Sequence, residues 1–453
     1  MKRILIANRG EIACRIIRSA HGLGLETVAV HSEPDAAALH VALAGAAELI
    51  GPGPAKSSYL LAERILEAAL KHGADAVHPG YGFLAENYRF AEAVQAAGLK
   101  WIGPRPSSIE DMGDKERARD IAKAAGVPVL PGSARFAPDD LTGLEEAAEE
   151  VGFPLLVKAA AGGGGIGMRR VDDIAKLREV VEATQAMAAK AFGDGTIYLE
   201  RLVLRARHVE IQVFGYGDGH ALHLYERECS IQRRFQKIIE ESPAPNLPAS
   251  VREGMAAAAV ALVHHERYSG AGTVEFVVDA DTNAYYFLEM NTRIQVEHPV
   301  TEMTTGFDLV AMQIELARGT LAQIVQAEVG HQGHAVEARL YAENPAMNFL
   351  PSPGPLNKFE VPRGREGVRV DTGVRTGDTI TFHYDPMIAK IIAHGASRDE
   401  AITRLRDVLI DTVVEGVKTN RDFLIRTLDH PAFRAGETHT GFVEQHKAAL
   451  LAV

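Results

Sequence analysis

EMNTRIQVEHP, residues 289–299, carries more of the argument than any other stretch of the chain. Glu289, Asn291, Arg293, Gln295 and Glu297 take every second position, and Met290, Thr292, Ile294 and Val296 take the others. Read as a strand, this places five polar groups on one face at spacings of roughly 6.5–7 Å. A solvated outer face would show the same alternation. Two features argue for the inside instead. The run continues directly from the apolar YYFL (285–288), so Glu289 begins within a core strand, and Glu275 interrupts the apolar TVEFVV in the same way. Isolated buried carboxylates are expensive and call for a cation. Two acids on adjacent strands suit Mg²⁺ shared with nucleotide phosphates.

Working outward, residues 204–330 are rich in strand signals, HVEIQVFG (208–215), TVEFVVD (273–279) and AYYFLEMNTRIQVE (284–297), with an alanine helix at 254–264 between them. A helical segment (114–126) and the Pro/Gly connector VPVLPGS (127–133) lead into a small α/β stretch that runs to about residue 203. Inside it, AAAGGGGIGMRR (159–170) follows the strand PLLVK (154–158). Four consecutive glycines stabilise neither helix nor strand. Their N–H groups can approach a ligand closely, and phosphate is the usual ligand of such a concavity. Met168 and Arg169 stand where a Walker A loop needs Lys and Ser/Thr, so this is not a P-loop. Lys158 can still hold phosphate as a point charge.

The first hundred residues alternate strand and helix: RILIA (3–7), a helix over 11–24, ETVAV (26–30), a helix over 60–73, then ADAVHPG (74–80) and KWIGP (100–104). That alternation means a parallel sheet with covering helices. The first turn, NRGEIA, has Ile12 where a dinucleotide fingerprint needs its second glycine, which rejects a nicotinamide site. The tail from His331 mixes strands with a last helix, RDEAITRLRDVLI (398–410).

A chain of 453 residues exceeds one ordinary core, so two or three domains are expected. The net charge of −12 argues against a nucleic-acid partner while leaving room for a local basic pocket. Cys14 and Cys229 are far apart and read as small buried apolar residues. The opening MKRILIANRG is too short in apolar length for a secretory signal, and MAAAAVALV from Met255 is half a membrane span, so a cytoplasmic protein with no membrane contact is expected.

Three further segments are ambiguous alone. ERECSIQRRFQKIIEE (226–241) reads as a solvated charge run, His208 as a core histidine and HPGYGF (78–83) as a turn followed by a strand. Together, ANRGEIACRI, HPGYGFLAEN, MGDKERAR, the glycine run, ERECSIQRRFQK, EMNTRIQVEHPVTEM, GHAVEARLYAENP, FLPSPG and HYDPMIAK form an ordered set that resembles the biotin carboxylase family from end to end.

The resemblance implies a mixed α/β and α+β multidomain fold. Its parts would be an N-terminal parallel-sheet domain (1–113), an ATP-grasp region (114–330) with a mobile lid at about 131–203, and a C-terminal domain (331–447). It implies that Lys115, Lys158, Gly163, Gly164, Gly165, His208 and Gln232 contact ATP, and that Glu200, Arg201, Leu202 and Val203 form the hinge beside adenine. Glu275, Glu289 and Asn291 would hold Mg²⁺ or Mn²⁺. Arg293, Gln295 and Val296 would surround bicarbonate, Lys237 would steady carboxyphosphate, Glu297 would be the base, and Arg339 would stabilise the biotin enolate with Tyr81 nearby.

Implied partners are a biotin carboxyl carrier protein, a carboxyltransferase subunit and a second copy of the chain. Acetyl-CoA carboxylase, and with it fatty acid synthesis, is the first expectation, although the AAAGGGG loop is also similar to propionyl- and methylcrotonyl-CoA carboxylase α chains. Ile166, Phe235 and Ala206 depart from the family pattern; the first two remove polar groups near the nucleotide, and Ile166→Arg is expected to improve ATP use. Two rivals are another ATP-grasp ligase, and a nucleotide-binding paralogue with reduced or lost carboxylase activity.

Overall fold

The computed structural model describes residues 1–160, 167–234 and 236–451. At the N-terminus five parallel strands lie in the order Ala46–Gly51, Glu26–Ser32, Arg3–Ile6, Ala76–His78, Lys100–Trp101. Ile4 and Ile6 meet the apolar face of the helix Gly10–Gly22 through Ile12, Ile16 and Ile17, which satisfies the strand–helix alternation read above. At the carboxyl ends of these strands the Asn8 side-chain amide donates to Pro79 O and Tyr81 O, both at 2.7 Å, and so ties two βα turns together. This is where open parallel sheets place their ligands.

The centre of the molecule is an eight-stranded sheet, in the order Tyr285–Asn291, Ser269–Asp279, Ala206–Tyr216, Ala221–Arg233, Gln236–Ser242, His334–Tyr341, Met387–Gly395, Val368–Thr372. Every pairing in it is antiparallel. Met255, Ala259, Leu262 and Val263 of the helix Ala249–His265 pack on one face. The helix His298–Thr305 packs on the other, against its fourth to seventh strands. With both faces covered, a charge between strands is shielded from water and needs partners from the sheet or from the elements packed against it.

A smaller body lies over about residues 131–203. Three antiparallel strands, Met168–Val171, Leu155–Ala159 and Ile197–Arg201, carry the helices Leu144–Val151 and Leu177–Phe192. Leu144, Val151, Leu155, Val157, Val181, Ile197 and Leu199 give it a core of its own. The tail closes over the central sheet with the helix Arg398–Ile410, through Leu405 and Leu409 against Ile388 and Ile391.

One expectation fails. The strand read over 284–297 stops at Asn291, and Thr292–Glu297 forms a bend and turn that caps the helix His298–Thr305. Pro299 explains the change, because proline suits the first turn of a helix and donates nothing to a strand ladder. Only Glu289 and Asn291 of the five polar groups therefore stand on a strand. Arg293, Gln295 and Glu297 leave a loop, and Glu297 does not share a strand face with Arg293.

Candidate functional site

Four neighbouring strands each give one charged residue to a row across the central sheet. Glu289 stands opposite Glu275, Glu275 opposite Glu210, and Glu210 opposite Arg227. Antiparallel strands lie about 4.8 Å apart, so the row is dense. Lys237 reaches it from the strand Gln236–Ser242. Its Nζ lies 2.6 Å from Glu210 Oε2, 2.8 Å from Glu275 Oε1 and 2.7 Å from Glu297 Oε1.

One ammonium does not balance three carboxylates, and further cations complete the set. Arg227, fully buried, donates to Glu210 Oε1 at 2.6 Å and to Gln212 and Thr301. Arg339 donates to Glu297 Oε2 at 3.0 Å. His208 Nε2 lies 2.7 Å from Glu275 Oε2, without its N–H aligned to it, and the Gln232 amide lies 2.9 Å from His208 Nδ1.

Charge, not burial, decides the protonation of this cluster. Burial alone would raise Glu297 and Glu275, but Lys237, with Arg339 and Arg227 at Glu297 and His208 at Glu275, outweighs it and holds both carboxyls well below their ordinary range. Burial alone would lower Lys237, and the three acids hold it well above. Burial lowers His208, and Glu275 outweighs it and holds the imidazole above its ordinary value.

Glu289 behaves differently. Burial raises it, Glu275 raises it again, and Lys115 and His208 compensate only in part. Among the described residues no cationic side chain forms an ion pair with it. Glu275 is surrounded by donors, since Lys237, Asn291 and Gln295 all reach its Oε1 at 2.8 Å. Two opposed carboxylates, one of them without a cationic partner among the described residues, fit a hard divalent cation that takes oxygen ligands.

The remaining expected residues fall into two groups. Asp114 accepts from the backbone N–H groups of Glu116 and Arg117, so Lys115 opens the helix Lys115–Ala124. Lys158 and Glu200 sit on adjacent strands of the small body, with Nζ 2.7 Å from Glu200 Oε1. Arg201 donates to Val151 O and ends the strand, the Leu202 N–H donates to Pro154 O, and Val203 follows beyond the sheet. Gly163, Gly164, Gly165, Ile166 and Phe235 lie outside the described residues.

The second group meets in a cavity of about 510 Å³ between the N-terminal sheet and the tail, lined by Tyr81, Arg293, Val296, Arg339, Tyr384 and Asp385. Tyr81 donates to Glu11 at 2.6 Å, Arg293 is held by Glu86 and Asn291 at 2.8 Å each, and the Val296 carbonyl accepts from Lys390 at 2.8 Å. Gln295 turns away from the cavity: its amide spans Glu275 and Arg227. HPGYGF is a turn around Tyr81, with no strand after it before the helix Tyr88–Ala96.

Glu210 and Arg227 were missed in the sequence. The signal for Glu210 was present, because it interrupts the apolar HVEIQV as Glu275 interrupts TVEFVV. Arg227 was hidden in what looked like a solvated charge run, yet Glu226, Arg227, Glu228, Glu240 and Glu241 are all buried strand residues. Cys14 and Cys229 are buried, as their reading as small apolar residues required.

An antiparallel sheet that gathers paired acids beside a separate small α/β body defines an ATP-grasp protein. Three family profiles match: Biotin carboxylase, N-terminal domain, on residues 1–109; Carbamoyl-phosphate synthase L chain, ATP binding domain, on 114–324; and Biotin carboxylase C-terminal domain, on 337–445. Biotin carboxylase 1 of Bacillus subtilis is 49% identical over 449 residues, which cover 98% of this chain and 99% of that one. The methylcrotonoyl-CoA carboxylase α subunit of Arabidopsis thaliana is 49% identical over 452 residues; the chain spans 61% of its length. The biotin carboxylase domain of the Hydrogenobacter thermophilus 2-oxoglutarate carboxylase, solved as a dimer with MgADP, ADP and bicarbonate, superposes with a TM-score of 0.90 at 42% identity, covering 100% of this chain and 99% of that one. The chain belongs to the biotin carboxylase family.

Proposed function

We propose that the chain carboxylates biotin on a biotin carboxyl carrier protein, using ATP and bicarbonate. The observation that carries this is Glu297 held between Lys237 and Arg339, within one cluster with the Glu275–Glu289 pair. Bicarbonate is a poor electrophile. Its oxygen attacks the γ-phosphorus of ATP, the bond to ADP breaks, and carboxyphosphate forms. Phosphoryl transfer of this kind is served by positioning and charge neutralisation. Lys115, Lys158 and His208 supply positive charge to the phosphates, and the described hinge residues Glu200 to Val203 lie beside adenine. Mg²⁺ or Mn²⁺, held by Glu275 and Glu289 with Asn291 close by, would neutralise phosphate charge.

Glu297 is ionised and takes the bicarbonate proton. With both cations turned on it, Glu297 is a weak base. Incoming anions divert Lys237 and Arg339, and its basicity rises as they do. Arg293, Gln295 and Val296 border the bicarbonate subsite, which requires the Gln295 amide to leave its present partners. Arg339, with Tyr81, then meets the biotin ring in the cavity: carboxyphosphate breaks at its C–O bond into CO2 and phosphate, the phosphate takes the ring N–H proton, Arg339 stabilises the enolate so formed, and the ring nitrogen adds to the CO2.

The sequence divides at about residues 113 and 330, and the body at 131–203 acts as a lid that closes over ATP. The chain works as a homodimer beside a carboxyltransferase, which chooses the acyl acceptor. Acetyl-CoA is the reading to test first and methylcrotonoyl-CoA the second, the latter supported by the Arabidopsis relative.

ADP release measured with and without bicarbonate and biotin tests the reaction, and release independent of both would overturn it. Glu297→Gln is expected to abolish carboxylation while ATP still binds.

A further inference from the structure

Glu240 and Glu337 stand directly opposite each other on adjacent strands of the central sheet, and both are fully buried. None of their four carboxylate oxygens has a hydrogen-bond partner among the described residues. Arg339 Nη2 lies 2.6 Å from Glu240 Oε1, but its N–H is aimed at Glu297. No cationic side chain among the described residues forms an ion pair with Glu337. Lys390, one strand further, is engaged by Glu11 and the Val296 carbonyl. The other charged groups around the pair are Glu297 at the start of the helix His298–Thr305 and Lys237 on the strand of Glu240.

Two adjacent unsolvated carboxylates cannot both stay ionised. We propose that Glu240 and Glu337 share one proton, carried by Glu337, and that the charge left on Glu240 positions Arg339 from the side opposite Glu297. A small side-chain rotation makes the Glu337 O–H the donor that Glu240 lacks. Burial pushes both carboxyls up, Glu337 well above its ordinary range and Glu240 to about 7, in agreement with one retained proton. With its charge divided between two acids, Arg339 depresses the basicity of Glu297 less than it would alone.

The functional half of this inference rests on the proposed carboxylation; the proton does not. Infrared spectroscopy of the intact protein at neutral pH should show a buried protonated-carboxyl band that is absent from Glu337→Gln. A wild-type spectrum without that band, or one unchanged in Glu337→Gln, overturns the shared proton whether or not the protein turns over ATP. In bicarbonate- and biotin-dependent ADP release, Glu337→Gln, which mimics the protonated acid, should stay within about twofold of wild type. Glu240→Gln should lose about tenfold in kcat with an unchanged KM for ATP, the scale of one charge-assisted hydrogen bond. The acid limb of its pH profile should move to lower pH, because the undivided Arg339 charge then holds Glu297 lower; Glu240→Asp should restore part of the rate. An unmoved limb, or equal losses in the two Gln variants, refutes the positioning role. A wild type that releases no ADP with bicarbonate and biotin refutes the carboxylation and the positioning role, and the spectrum still decides the proton.

Discussion

The small three-stranded body and the eight-stranded central sheet use ion pairs in opposite ways. In the small body most pairs lie outside, with Arg178–Glu145 and Arg170–Asp172 each about half exposed, and only Lys158–Glu200 is partly buried among the described residues. In the central sheet Arg227 and Glu210 are wholly enclosed, and Lys237, Glu275 and Glu297 nearly so. Exposed pairs contribute little and break at little cost, whereas an enclosed pair that loses one member leaves an uncompensated charge. The enclosed charges therefore lock the central sheet, whereas the small body is held mainly by its own apolar core. That division is what the proposed lid requires: a rigid site beneath a body able to close over phosphate.

The largest expected effect is at Lys237. Lys237→Gln leaves three buried acids without their common cation and should cost about 3–5 kcal/mol in urea unfolding as well as turnover. A loss below about 1 kcal/mol would mean that the cluster is wetter than its burial implies. Next, Leu199→Ala empties part of the small core and should cost about 2–5 kcal/mol there. Hydrogen exchange is the measurement: protection should fall across residues 131–203, outside the glycine loop, and hold in the central strands. Equal losses in both would show that the two bodies unfold together. ATP should slow exchange in the same stretch, and identical exchange with and without it would remove the lid.

The third effect is in acid. Burial would raise Glu241, but Arg398 and His334 lower it to about 2. Its contribution to stability is thus present above the ordinary carboxyl range and is lost as pH falls from about 4 towards 2. Arg398→Met raises the folded-state pKa of Glu241, so the acid midpoint of unfolding, followed by circular dichroism, should move to higher pH. An unmoved midpoint would show that this carboxylate does not govern acid unfolding. Smallest of all, Arg178→Ala should leave the urea midpoint of the small body unchanged, as exposed pairs contribute at most about 1 kcal/mol.

The sheets were legible in the sequence wherever the apolar run was uninterrupted, as in Arg3–Ile6 or Glu26–Ser32. The loop at Thr292–Glu297 was not, because alternation of polar and apolar residues is equally compatible with a chain that leaves its sheet and packs alternate side chains under a helix. Pro299 was the available clue. Glu275 was readable as a lone acid in an apolar strand, and Glu210 was readable by the same rule. Arg227, Glu240 and Glu241 were not, since a run with five charges in its first nine residues looks solvated until both faces of its sheet are known to be covered. What brings Arg339, Arg293 and Tyr81 to one cavity is contact between distant segments, which no local pattern encodes.

The order of the central sheet also sets a schedule for synthesis. The strand Gln236–Ser242 pairs on one side with Ala221–Arg233, already made, and on the other with His334–Tyr341, which emerges only some ninety residues later. At about 5–20 residues per second, a ribosome needs roughly 5–20 s to deliver that partner. For that interval the growing chain carries an open strand edge bearing Ile238, Ile239, Glu240 and Glu241, a template for pairing with a neighbouring chain. The acids that later serve the finished interior are then the charges that keep a half-made sheet from adding the wrong strand.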